Sequence, residues 1–237
     1  KTDSTNAAKP RKHTGPSEEV LAKRREIDKK FAKYSRDHIY VNLNGTNWIY
    51  NSSDPRFGGM QAKWFSRGID IGFNWDFRIK GSRVSIAPGI AYSNTNIYSR
   101  SLMGHDSAGT YFTPIDYGSD TTAKINKVSF QYLEIPLELR IRTDPDRFGN
   151  CWKVAVGFKA GVRVDVHTKT KLVVDGATHV FVERRFADYN LFRCGPTLRV
   201  GYSFVNITAY YGLLNMFKPG LGPKANEFSV GLSFTAL

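Results

Sequence analysis

The residues best equipped for chemistry are His105, Asp106 and Ser107, consecutive in one polar stretch, with His179 in another. Histidine, aspartate and serine are the parts of a nucleophilic hydrolase, where a base activates a hydroxyl and a carboxylate orients the base. Three neighbours on one loop do not converge on a reacting atom, and no GxSxG, Walker or dinucleotide motif surrounds them. A polar surface loop accounts for them more simply. No catalytic residue is therefore assigned, and the chain is not expected to be an enzyme. Cys151 and Cys194 fall in different predicted strands. A hairpin centred near Gly176 sets Cys194 opposite about residue 158 to 160, leaving Cys151 beyond the ~7 Å Cα separation a disulfide can bridge. No CxxC or HxxxH spacing occurs, so neither a metal nor a cofactor is expected.

A second set of polar residues is more ordered. Asp70, Asp76, Arg78, Glu134, Glu138, Arg140, Lys153, Lys159, Arg163, Asp165 and Arg199 occupy alternate positions in stretches whose other positions are mostly apolar. Mixed charges on one face can be a solvated surface, an ion or proton path, or a packed ion-pair network. The elements that carry them decide which.

From Ile39 onward the hydrophobic period is two. Ile69–Arg78 alternates over ten residues, and Leu133–Arg142, Trp152–His167, Val205–Leu213 and Phe228–Phe234 do the same. With Ile39–Leu43, Val84–Ser93 and Phe192–Tyr202 this makes eight strands. Long and short connections alternate between them, as in an up-and-down outer-membrane barrel with short periplasmic turns and long outer loops. No apolar run reaches the ~18 residues of a membrane-spanning helix. The polar face carries Gly72, Gly89, Gly157, Gly161, Gly201 and Gly231. Small residues beside charged ones suit a narrow lumen, whereas glycine on a solvated face merely weakens a strand. Trp48, Trp64, Trp75 and Trp152 lie near strand ends, where aromatic girdles sit. The expected fold is all-β: an eight-stranded antiparallel up-and-down transmembrane β-barrel over 38–237. An eight-stranded lumen is filled by side chains, so the charges above are assigned to a lumen ion-pair network.

Residues 1–37 show no strand pattern and form a basic N-terminal extension with an amphipathic helix at about 17–34. Ser17 offers an N-cap, and Glu18 and Glu19 suit the first turn. Val20, Ile27, Phe31 and Tyr34 share a stripe beside Lys23, Arg24 and Lys30, a combination suited to docking on a partner or a membrane surface. The formal net charge is +13, of which residues 1–38 carry +5. With no recognisable nucleic-acid motif, the surplus points to anionic lipid or glycolipid, and to other envelope proteins, rather than to nucleic acid.

Gln131–Leu139, reading QYLEIPLEL, resembles the YLEIP strand of PorT-like outer-membrane β-barrel proteins of Bacteroidetes-type bacteria. Gly157–Gly161, Arg163–Lys169, Tyr210–Leu213 and the closing Phe228–Phe234 are similar to later strands of that group. The resemblance covers roughly Ile39 to Leu237, and its motifs are structural rather than catalytic. It implies an outer-membrane barrel and a link to type IX protein secretion. The expectation is thus a non-enzymatic outer-membrane barrel, an accessory or scaffold subunit of a cell-envelope assembly, with the N-terminus and short turns periplasmic and the long loops extracellular. An outer-membrane enzyme acting at the loop rim and a soluble lipocalin-like ligand-binding barrel are the alternatives.

Overall fold

The computed structural model describes residues 17–23, 38–51, 63, 66–79, 82–114, 121–143, 151–184 and 187–236. The chain divides into two units between Tyr34 and Ser35. In the first, 18–23 is helical, and the Leu21 amide donates to the Ser17 carbonyl at 3.0 Å. Ser17 thus sits where an N-cap belongs. Val20 and Lys23 are exposed there; Arg24, Ile27, Lys30, Phe31 and Tyr34 lie outside the described residues.

The second unit contains β1 (Ile39–Asn51), β2 (Ser66–Asn74), β3 (Phe77–Arg78), β4 (Val84–Tyr98), β5 (Ser101–Asp106), β6 (Gly109–Pro114), β7 (Thr121–Arg142), β8 (Trp152–Val174), β9 (Ala177–Glu183), β10 (Phe192–Tyr202), β11 (Val205–Tyr211) and β12 (Lys224–Ala236). Eight of them close a ring of antiparallel ladders in the order β1, β2, β4, β7, β8, β10, β11, β12 and back to β1. The closing ladder runs from Ile39↔Ala236 to Asn51↔Lys224. Cys194 faces Ala160, and both cysteines are free thiols.

The apolar set of each strand faces outward. Ile135 is 66 % exposed and Ile207 61 %, and Leu43, Ile71, Ile90, Leu137, Val156 and Leu232 are exposed with them. The inward set is polar and buried: Asp70, Ser85, Ser93, Glu134, Glu138, Arg199, Glu227 and Ser233. A water-soluble barrel has the opposite polarity; this one is built to stand in hydrocarbon. Small inward residues make room for large ones: a Cβ on Gly72 would fall on the Tyr40 ring.

Several elements depart from the sequence expectation. The second strand breaks at Trp75–Asp76, separating β2 from β3. β1, β7, β8 and β12 run well into the stretches expected to be long loops. Above the aliphatic belt the outward positions of β4 and β7 hold Asn94, Asn96, Lys127 and the covered Ser129, so the hydrophobic alternation lapses while the hydrogen-bonded ladder continues. β8 turns at Asp175 and Gly176, both at positive φ (49° and 78°), and returns as β9. An Asp-Gly pair with both residues in the left-handed region is the favoured two-residue hairpin turn. Trp152 (against Tyr202) and Trp75 (against Phe73) are exposed, as girdle residues would be. Trp48 is not: its side chain points inward and is buried. Trp64 lies outside the described residues.

Candidate functional site: a filled lumen

At mid-height four carboxylates and four cations share the interior. β7 contributes Glu134, Glu138 and Arg140, and β8 contributes Lys159, because alternate residues of paired strands face one side. Lys159 donates to Glu134 at 3.2 Å. Arg193, on β10, reaches Glu134 at 2.7 Å and Glu227 of β12 at 2.8 Å, so it bridges opposite walls. Glu227 also accepts from Thr95 at 3.1 Å. Glu138 receives Arg140 at 2.9 Å and Arg199 of β10 at 3.3 Å. Among the described residues Asp70 has no cation in direct contact; Asn44 at 2.7 Å, Asn42 at 3.2 Å and Ser93 donate to it. Three cations lie over rings as well: Arg193 over Tyr132 at 4.0 Å, Lys159 over Tyr210 at 4.1 Å and Arg199 over Tyr40 at 4.6 Å. Charges taken out of water need partners of this quality to offset their desolvation. Balanced in sign and interlocked across the ring, the layer is a strut.

Near the short turns, Arg142 pairs with Asp76 at 2.7 Å and donates to Ser85 at 2.9 Å. Lys153 donates to Thr235 at 3.2 Å. Arg78 shares the inward face with Ser85 at the mouth and is only half-buried. At the other end of the layer, Arg163 donates to the Asn190 carbonyl at 2.9 Å.

Asp165 does not join the lumen network. The β7–β8 register shifts between Gln131 and Tyr132: Tyr132 faces Arg163, and Gln131 faces Asp165, so Val164 is the extra residue of a β-bulge. One extra residue turns the rest of the strand over. Asp165 therefore points outward, where it holds His167 at 2.8 Å and Arg184 at 3.6 Å, while Val166 turns into the core.

Towards the long loops the interior is apolar. Trp48, Ile97, Phe112, Val128, Phe130, Val166, Tyr189, Met216 and Phe217 form one cluster. Tyr189 and Phe217 lie 4.9 Å apart, and Trp48 meets Phe217 edge-on at 5.6 Å. Burial first, and then the neighbouring Asp188, push the Tyr189 phenol well above its ordinary pKa. It stays neutral and donates to the Met103 sulfur at 2.8 Å.

His105 corrects the sequence reading as well. Its side chain is buried, and its Nδ1 contacts Asp188 at 2.7 Å rather than the adjacent Asp106. Thr110 donates to the same carboxylate at 2.8 Å, and the Thr110 amide to the Leu221 carbonyl at 2.9 Å. The three stretches between β4 and β7, β9 and β10, and β11 and β12 are thereby fastened together above the aromatic layer. His105 Nε2, the nitrogen a base would use, is enclosed. Asp106 and Ser107 are exposed at the β5–β6 turn, and His179 is exposed on β9.

Arg193, Glu227 and Arg142 are network members that the sequence reading left out. Parity was the available signal: Arg193 alternates with Arg199, Arg142 with Arg140, and Glu227 precedes the outward Phe228. Tyr40, Tyr132 and Tyr210 gave none, because a tyrosine suits either face.

Residues 24–218 match the protein family described as outer membrane protein beta-barrel domain. The chain belongs to that family. As an outer-membrane β-barrel protein, it sets the aliphatic belt of its eight strands against lipid. Among solved structures it is similar to the crystal structure of Ail, the attachment invasion locus protein of Yersinia pestis. The two share 12 % sequence identity over 83 % of this chain and 95 % of that one, with a TM-score of 0.34. No curated protein matches the chain.

Proposed function

We propose that this outer-membrane barrel protein is non-enzymatic and serves as an accessory or scaffold subunit of a cell-envelope assembly. The long-loop end faces the exterior, and the N-terminus and short turns face the periplasm. The filled lumen carries this reading. A balanced layer of ion pairs and an aromatic layer above it occupy the interior, so the work of the molecule falls to its outer surfaces and loops. The fastening of three connecting stretches through His105, Asp188 and Thr110 supports it, since a fixed loop surface suits recognition. Its partners are the lipid around it, anionic glycolipid and other envelope proteins. Through its resemblance to PorT-like barrels, a type IX secretion machine is one assembly in which such a subunit would sit. Affinity purification from detergent-solubilised outer membrane tests the reading. Stable co-purifying envelope proteins are expected; recovery only as a free monomer overturns it.

A further inference from the structure

The outer face above the aliphatic belt is not uniform. On β7 the run of outward aliphatics is interrupted above Leu133 by Gln131, the covered Ser129 and Lys127, before Ile125. Lys127 faces Lys169 of β8 directly, and Lys171 follows two residues on. On the other side Lys127 faces Tyr98 and donates to Asn96 at 2.7 Å; Asn96 in turn faces the exposed Arg67 of β2. Four cations thus share this part of the wall, on β2, β7 and β8, with Asn96 and Tyr98 of β4 between Arg67 and Lys127. Like charges directly opposite in a ladder are destabilising unless something answers them. Of the nearby carboxylates among the described residues, Asp165 is engaged by His167 and Arg184, and Glu183 of β9 stands opposite Thr168.

The height is also particular. Lys127 stands six residues beyond Leu133, roughly 20 Å along a strand at ~3.3 Å per residue and about 15 Å along the membrane normal at a tilt near 40°. Lysine bends its ammonium back towards an interface. The row therefore meets the headgroup and core-sugar layer directly above the hydrocarbon, and it faces radially away from the barrel. A soluble protein would dock on the loops. A lipid lies beside the wall.

We infer that Lys127, Lys169 and Lys171, flanked by Arg67, form a binding site for the phosphorylated headgroup of an anionic glycolipid in the outer leaflet. This inference rests on the proposed orientation with the long loops outside. It deepens the partner reading by giving the glycolipid a place.

The test is native mass spectrometry of the full chain in detergent, titrated with diphosphoryl lipid A, its dephosphorylated form and inorganic phosphate. Retention of the diphosphoryl lipid is expected, with affinity lower by on the order of tenfold or more in K127Q/K169Q/K171Q, since each lysine near an anionic surface contributes measurably. K218Q/K224Q, at exposed positions off the row, should bind like the parent. Heat-modifiable migration shows that each variant is folded, and the triple Lys→Arg variant should restore binding if the glutamine variant is not. Equal retention of the dephosphorylated lipid, or an unaffected triple variant, overturns the site. Displacement by inorganic phosphate at matched concentration overturns a lipid as its occupant, as does an acidic envelope protein lost from the triple variant while the lipid stays. Co-purification of envelope proteins is read on the parent chain, so failure of the accessory role is seen separately.

Discussion

Arg193 is the residue on which the two walls of the lumen depend. It holds Glu134 and Glu227 at once, and all three side chains are buried. Removing one partner of a buried ion pair leaves a charge without compensation and typically costs about 3–5 kcal/mol. Arg193→Met should therefore lower the unfolding free energy of the reconstituted barrel, read from urea titration, by an amount in that range. Adding Glu227→Gln, which deletes one stranded carboxylate, should recover part of the loss. A single variant as stable as the parent would show that the layer is not a strut. By contrast, Asp106→Asn at the exposed β5–β6 turn should leave the unfolding free energy within about 0.5 kcal/mol of the parent.

At the scale of the element, the bulge at Val164 decides what β8 shows to the outside. Deleting Val164 would remove the bulge and restore plain alternation with Asp165, His167 and Lys169 still outward and Val166 still in the aromatic layer. In a C151S/C194S background, a cysteine placed by His167→Cys should react with a membrane-impermeant maleimide and one placed by Val166→Cys should be protected, both before and after Val164 is removed. Exchanged labelling of the two positions once Val164 is removed would place the two-residue offset elsewhere. The bulge also marks how far these elements were legible. Within the aliphatic belt, Leu133 to Ile141 alternate so strictly that strand, face and partner parity all follow from the sequence. Above it Lys127, Ser129 and Gln131 keep the ladder but lose the apolar mark, so the strand extensions read as loop. An inserted residue leaves no trace in composition, and Asp165 was accordingly set on the wrong face. Nor can adjacency reveal that His105 meets Asp188, 83 positions away.

For the molecule as a whole, the sign of each face and the filling of the interior fix what it can transmit. Four carboxylates meet four cations at mid-height, and rings from five strands and loops close the space above. An eight-stranded ring leaves an interior only wide enough for its own side chains. In planar bilayers the reconstituted protein should give no unitary conductance steps above baseline. Discrete steps abolished by Arg193→Met would instead make the charged layer an ion path. The net charge of +13, which taken alone suits many anionic partners, is distributed unevenly: the mid-height layer cancels within itself, residues 1–38 carry +5, and a group of cations lies on one outer wall. That division was not legible from the total, because alternation gives the face of a residue but not the neighbours across the ring.

The pairing of Ile39 with Ala236 has a consequence for biogenesis. The seam of the ring joins the first strand of the barrel to its last, so the first seven strands still present two raw edges until β12 pairs. The order of the strands along the chain and the closure of the ring are thus uncoupled, and closure has to wait for β12. Because both sides of that seam meet at the short-turn end, a short tether could join them. The same ring could then be cut at Ser203–Phe204, yielding a circular permutant with unchanged walls.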